Sequence, residues 1–453
     1  MAGKLRIGMR IHQVLLLVFS LAGCASGLTQ SEGGYGGPSR TTTVLFVVDG
    51  LGAKLLQAGF REGRLPNLRE HFLGKARGFA LARASFPTLT YPNLSSILTA
   101  QKVGEQPVIA NHMVIERGEV LDFESHTDHG ELRRQIEPRS VIARLKAQGR
   151  RTASFSYVLG MNADDHMEAG LGEGLEYTAH DYRSLDGRLL ESMQAYLTDV
   201  PRAEAWPEFI YVHLVGIDGT AHRYGESTEQ TAAYLAWLDA RLGPVLRTLR
   251  AGEKQGHRVV SLFTADHGFV DPSAYSDAAL LFREKGIIVT NESRYLGIHA
   301  REKTVKLRPT LARARSLAGV ELTALREGDD FYLSSGNRQL RFRYGPATCA
   351  EETYSLSPVS VDGTPGAAAC PSAFDSLVPP YPYLVANLAT YLNARYHPDA
   401  LVIAKPRYTF QTGSKGAHGG PTAEEVLVPL LTRNAHVAGE RPMRTSDLLK
   451  ILE

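Results

Sequence analysis

Cysteine is nearly missing from this chain, with three in 453 residues. At most one disulfide can form, and one cysteine is left over. A surplus of either charge is missing as well. Lys and Arg total 50 against 48 Asp and Glu, and removing Lys4, Arg6 and Arg10 of the first 23 residues leaves 47 against 48, a net of −1. No basic footprint that would hold nucleic acid remains, so no specific nucleic-acid partner is expected. Long apolar runs are also lacking. The run Val14-Leu15-Leu16-Leu17-Val18-Phe19 is too short to span a bilayer, and no spanning segment follows Cys24. No internal repeat or sizeable low-complexity segment is evident. What is present is ordinary: 43% hydrophobic residues, enough for a large core in one domain with an insertion or in two to three domains.

Residues 1–23 place three basic side chains before that apolar run and small residues after it, the pattern of an export signal. Leu21-Ala22-Gly23-Cys24 resembles the bacterial lipobox, whose cysteine is acylated and becomes the new N-terminus. An ordinary secretory peptide that happens to contain a cysteine is the competing reading. The lipobox implies lipidation at Cys24, and Ala25 in place of an acidic residue favours the outer membrane, facing the periplasm or the cell surface. Membrane contact would run through this N-terminal lipid anchor only. Residues 24–40, rich in Gly and Ser, are then a flexible tether. In an oxidising compartment Cys349 and Cys370 would close a loop rich in Ser, Pro, Gly and Ala, so a disulfide is expected there rather than a catalytic thiol.

From Thr41 to about Val270 apolar runs alternate with helix-period segments, the βαβ pattern of a parallel sheet covered by helices. Leu235, Leu238, Leu242, Val245 and Leu249 recur at helical spacing before a strand at Val259, and Val141, Ile142 and Leu145 precede a strand from Thr152 to Tyr157. The stretch between His267 and His418 is far longer than a crossover needs. Within it Val320–Thr323, Phe331–Leu333 and Leu340–Tyr344, with Ser335-Gly336-Asn337, predict antiparallel hairpins. The expected architecture is three-layer α/β/α with a mostly parallel central sheet. Residues 41–279 and 376–453 form the core and 280–375 an inserted α+β cap-like subdomain, with a helix at 383–396 and a strand at 401–404 returning to the core.

Three strand-like runs end in acids: residues 43–48 at Asp49, 209–217 at Asp218, and 259–265 at Asp266-His267. Ligands of open α/β sheets gather outside the carboxyl ends of strands, so these carboxylates are expected to meet. Asp218 and His222 have D-x-x-x-H spacing, and His418 stands in the glycine-rich Gly413-Ser-Lys-Gly-Ala-His-Gly-Gly420. Thr90 precedes Pro92 and the helix-spaced Leu94, Ile97 and Leu98, which puts it at or beside a helix N-cap. A threonine hydroxyl is a poor nucleophile until a divalent cation and the positive end of a helix lower its pKa.

This ensemble resembles the type I phosphodiesterase/nucleotide pyrophosphatase branch of the alkaline phosphatase superfamily. The resemblance rests on Asp49, the Pro87-Thr-Leu-Thr90-Tyr-Pro-Asn93 segment, Val108-Ile-Ala-Asn111-His-Met113, Asp218-Gly-Thr-Ala-His222, Asp266-His267-Gly268 and His418-Gly419. It implies that Asp49, Thr90, Asp266 and His267 bind one zinc and Asp218, His222 and His418 a second, with manganese or iron as other occupants. It makes Thr90 the nucleophile and Asn111 the holder of a phosphoryl oxygen. The implied protein is an exported phosphodiester hydrolase acting on a small phosphate ester. Two departures fall on the substrate side: Leu94 where the family has His, and Gly104-Glu-Gln-Pro107 where it has E-S-H-G. Asn93 also begins an Asn-Leu-Ser glycosylation sequon beside the nucleophile.

A phosphomonoesterase of the same superfamily is the near alternative, since the same metals and threonine serve either reaction. A non-catalytic metal-binding envelope lipoprotein is the alternative from another class, opposed by the nucleophile and the six other metal positions. A sulfatase lacks its C-x-P-S-R or S-x-P-S-R sequence here. His126, Asp128 and His129 form a further polar cluster expected in an exposed loop, and Lys415, Arg223 and Tyr224 lie near the site in sequence.

Overall fold

The structure is a computed structural model that describes residues 28–29, 41–73, 77–167, 176–199, 205–302, 305–346, 354–361, 363–377, 381–435 and 442–452. The export signal, Cys24 and Cys349 lie outside the described residues. Cys370 is disulfide-bonded and stands before the 3-10 turn Pro371–Leu377. Among the described residues no helix is long and apolar enough to cross a membrane.

Nine strands form the main sheet, in the order Leu28–Thr29, Asp165–Met167, Thr152–Phe155, Phe209–Leu214, Thr41–Val48, Arg258–Thr264, Leu427–Arg433, Arg77–Arg83 and Met443–Arg444. Its centre is parallel: Thr41–Val48 pairs with Phe209–Leu214 on one side and Arg258–Thr264 on the other. Leu427–Arg433 then runs antiparallel between Arg258–Thr264 and Arg77–Arg83. A parallel sheet needs cover on both faces, so its strands are predominantly apolar. In the Thr41–Val48 strand Leu45 and Val47 face one core with Leu94, Ile97 and Leu98 of the helix Thr90–Thr99. Val44, Phe46 and Val48 face the opposite core with Leu56, Leu189 and Leu235 of three other helices. That alternation is the α/β/α sandwich read from sequence, and the helix expected before Val259 is Glu229–Lys254.

All strands of a second, seven-stranded sheet fall between Arg258–Thr264 and Leu427–Arg433 of the first. Its order is Ile287–Asn291, Tyr295–Ala300, Ala400–Ala404, Val320–Glu327, Asp330–Ser335, Arg338–Pro346 and Tyr354–Pro358, every pair antiparallel. The hairpins predicted at 320–344 are among them. Two expectations are corrected. The Leu401–Ala404 strand does not return to the main sheet: it is bonded on both sides within the second, so the expected boundary at residue 375 cuts through this unit. Its burial on both faces explains the misreading, because an all-apolar strand looks alike in either sheet. Leu28–Thr29, expected in the flexible tether, pairs antiparallel with His166 and Met167 at the sheet edge.

The two units share one core. Leu322, Phe331 and Ile403 of the second sheet pack in the same apolar cluster as Leu94 and Ile97 beneath the first. Phe86, Tyr295 and Tyr391 meet at ring-centroid distances of 5.4–5.9 Å across the junction. Arg294 and Glu425, both fully buried, add an ion pair at 3.3 Å. Such a pair fixes register more than it stabilises, since both charges leave water.

Candidate metal centre and active site

The three acid-bearing strands are adjacent in the sheet and parallel, so their carboxyl ends open on one edge. Asp49 follows Thr41–Val48 directly, Asp266 lies two residues after Arg258–Thr264, and Asp218 begins the third position of the helix Gly216–Tyr224 that follows Phe209–Leu214. In that helix Asp218 and His222 are one turn apart, with Asp218 Oδ1 3.6 Å from His222 Nε2. Gly50 lets the chain turn here with φ of 70°, and a Cβ on it would lie 2.5 Å from the Phe269 ring. The crowding brings Asp49 and Asp218 together.

Each of the three histidines is held the same way. His418 Nδ1–H donates to the Thr88 carbonyl at 2.9 Å, His222 Nδ1–H to the Gly416 carbonyl at 3.1 Å, and His267 Nδ1–H to the Gly268 carbonyl at 3.2 Å. A carbonyl only accepts, so these bonds fix the tautomer and leave each Nε2 with a lone pair facing inward. His222 Nε2 and His418 Nε2 stand 3.0 Å apart, and His418 Nε2 is 3.6 Å from Asp218 Oδ1. His267 stacks on His418 at 3.8 Å and puts its Nε2 3.4 Å from Asp49 Oδ1 and 3.5 Å from Asp266 Oδ2. Gly416 makes room for the His222 contact, because a Cβ there would meet the Ala221 carbonyl at 2.4 Å.

The carboxylates are oriented too. Asp49 Oδ2 accepts from His213 Nε2–H at 3.1 Å, and Asp266 Oδ1 accepts from the N–H groups of Gly50 at 3.1 Å and His267 at 3.0 Å. Asp266 Oδ2 and Asp218 Oδ1 are buried with no hydrogen-bond partner among the described residues. Burial first, then the neighbouring Asp266 and Asp218, pushes the Asp49 carboxyl well above the usual range, and burial likewise raises Asp218. His418 is driven well below its usual value by burial, then by His267 and His222. Lone pairs facing lone pairs and unpaired carboxylate oxygens repel unless positive charge sits among them. Oxygen and imidazole donors converging in this number fit divalent cations, and donor atoms of Asp49, Asp266 and His267, and of Asp218, His267 and His418, lie within 4.8 Å of one another.

Thr90 is the first residue of the helix Thr90–Thr99, after Leu89 in extended conformation, so the structure puts it one position inside the cap. Its Oγ1 lies 3.2 Å from His267 Nε2 and 3.5 Å from Asp49 Oδ1. Asn111 Oδ1 accepts from the Tyr91 N–H at 3.3 Å, which turns its Nδ2 outward to Glu124 Oε1 at 3.0 Å. All eight residues singled out from sequence for catalysis and metal binding therefore meet in one region. A cavity of about 660 Å³ opens over them, and Asp49, Thr90, Asn111, Asp218, His222 and His418 are in its lining.

Other expectations change. Asn93 is fully buried, accepts from the Ser85 N–H at 2.8 Å and donates to the Pro87 and Leu89 carbonyls at 2.9 and 3.0 Å. It braces the turn before Thr90 and offers no glycosylation site in the fold. His129, expected in an exposed loop, is buried against Phe123 and Tyr91 and lines the cavity. Lys415, Arg223 and Tyr224 are exposed and do not line it. Sequence reasoning missed His213, a lone imidazole inside the otherwise apolar run Phe209–Leu214. It also missed other lining residues of the cavity, among them Tyr157, Tyr177, Asn291, Glu292 and Gln411.

The fold recurs in solved structures. Phosphonoacetate hydrolase from Sinorhizobium meliloti 1021, in complexes with phosphonoformate and with phosphonoacetate, superposes with TM-scores of 0.57 and 0.58 at 12% identity, covering 93% of this chain and 96% of that one. Murine ectonucleotide pyrophosphatase / phosphodiesterase 5 does so with a TM-score of 0.58 at 14% identity, over 91% of this chain and 94% of that one. No curated protein matches the sequence. A family profile described as type I phosphodiesterase / nucleotide pyrophosphatase matches residues 43–339. The chain belongs to the type I phosphodiesterase / nucleotide pyrophosphatase family and is a phosphoric ester hydrolase.

Proposed function

We propose that this protein is an exported phosphodiester hydrolase that works through a phosphothreonine at Thr90 beside two zinc ions. One observation carries the reading: Thr90 Oγ1, at the positive end of a helix, stands 3.2 Å from an imidazole nitrogen and 3.5 Å from a carboxylate that both face the cluster. Asp49, Asp266 and His267 with Thr90 would hold one ion, and Asp218, His222 and His418 the other. Zinc there would lower the pKa of the threonine hydroxyl and neutralise charge on the attacking and leaving oxygens.

Thr90 aims its hydroxyl proton at Asp49 Oδ1. As Thr90 Oγ1 bonds to phosphorus, the bond to the leaving alkoxide breaks and that oxygen takes up a proton. Water then attacks the phosphothreonine, the bond from phosphorus to Thr90 Oγ1 breaks, and the hydroxyl is restored. The net reaction is diester plus water giving monoester plus alcohol. Asn111 Nδ2–H, held outward by the Tyr91 N–H bond to Oδ1, is positioned to donate to an equatorial phosphoryl oxygen in place of Glu124. The residues before the described core support the rest of the reading: lipidation at Cys24, an outer-membrane site facing the periplasm or cell surface, and a Cys349–Cys370 disulfide suited to that compartment.

The test compares bis-p-nitrophenyl phosphate with p-nitrophenyl phosphate on zinc-loaded protein, with Thr90→Ala alongside. Faster turnover of the diester, and no acid-stable phosphoprotein in Thr90→Ala, is expected. Preference for the monoester would leave a phosphomonoesterase on the same centre, and no hydrolysis of either would overturn the enzyme reading.

A further inference from the structure

A second group of metal-ligating side chains lies in the same cavity and takes no part in the centre just described. His112 opens the strand His112–Val114, Glu124 follows its partner strand Val120–Asp122, and Glu292 sits in the turn between Ile287–Asn291 and Tyr295–Ala300 of the second sheet. All three line the cavity, and one donor atom of each lies within 4.8 Å of the others. Glu292 has a side chain only 1% exposed. Its Oε1 accepts from the His112 N–H at 2.9 Å and faces His112 Nδ1 at 3.2 Å, but its Oε2 is buried with no hydrogen-bond partner among the described residues.

A buried carboxylate oxygen left without a hydrogen-bond donor is costly. The His112 bonds account for Oε1 alone. Burial raises the Glu292 carboxyl, whereas the Glu292 bond raises His112 to about 9. The exposed Glu124 stands at the open side, holding the Asn111 amide at 3.0 Å.

We propose that His112, Glu124 and Glu292 form a third divalent-cation site. One imidazole and two carboxylates suit zinc or manganese. The site joins the core to the second unit, because Glu292 belongs to the inserted sheet and His112 and Glu124 to the core. It also adjoins Asn111, so its occupant places positive charge next to the group assigned to the phosphoryl oxygen. The site stands apart from the Thr90 centre and does not depend on its reading.

The experiment is metal analysis of the full-length protein after dialysis against zinc, and separately manganese, comparing wild type, Glu292→Gln, Glu124→Gln and Asp218→Asn. Glu124→Gln guards against misfolding because it changes an exposed position, and circular dichroism checks all four. Three ions per chain in wild type, and one fewer in both glutamine variants, is the expected result. Two in wild type and two in both glutamine variants would overturn the third site while leaving the binuclear centre standing. Three ions in wild type and in the glutamine variants would place the third elsewhere and also overturn it. One ion or none in wild type would overturn both, and Asp218→Asn shows which loss belongs to the Thr90 centre.

Discussion

The cavity has two walls that are built on different principles. One is the edge of the parallel sheet, where Asp49, Asp266 and three histidines each have one polar atom tied down and another turned inward, beside Asp218 Oδ1 at 3.6 Å from two of the imidazoles. The other comes from loops and the inserted unit, with Asn291, Glu292, Ser293 and Gln411 in the lining. Chemistry that needs fixed distances sits on the rigid edge, where strand ends cannot move without unzipping the sheet. The second wall is carried by segments that can change without disturbing that edge. The difference leads us to expect catalytic power and substrate choice to be separable.

The largest expected effect breaks the first wall. Asp218→Asn should lower the zinc content by about one ion per chain and kcat by roughly 10³-fold, the several kcal/mol that a metal contributes to a developing charge. A smaller loss tests whether orientation matters on that wall. His213→Ala removes the donor to Asp49 Oδ2 and should weaken zinc binding by roughly 10–100-fold, with His213→Gln, which keeps an N–H donor, recovering part of it. Equal zinc affinity in all three proteins would reduce His213 to packing. The smallest effect belongs to the second wall. Gln411→Ala should leave kcat for bis-p-nitrophenyl phosphate unchanged and shift KM by less than about 10-fold, differently for different leaving groups. A fall in kcat would mean that the two walls are not separable.

The first wall was legible in the sequence because its signals are local and redundant. Apolar runs ending in Asp mark strand ends, Pro92 marks a helix start, and glycines mark the close approach around His418. Three such ends converge wherever the strands are parallel neighbours, as 209–214, 41–48 and 258–264 are. His213 escaped because an imidazole within Phe-Ile-Tyr-Val-His-Leu carries no periodicity, and its role follows only from facing Asp49 across one strand pair. The second wall was illegible for a related reason. Glu292 reaches the cavity through an antiparallel pairing and Gln411 through the short parallel pairing of Tyr408–Thr409 with Ala274–Tyr275, and the all-apolar strand at 400–404 gives no sign of which sheet it joins. The Asn93 sequon shows the opposite failure: a surface motif in sequence became a buried brace in the fold.

The central claim is two successive in-line displacements with Thr90 as the relay. Hydrolysis of a phosphorothioate diester of known configuration in ¹⁸O-labelled water measures it directly. Retention of configuration at phosphorus is predicted, and inversion would contradict the account.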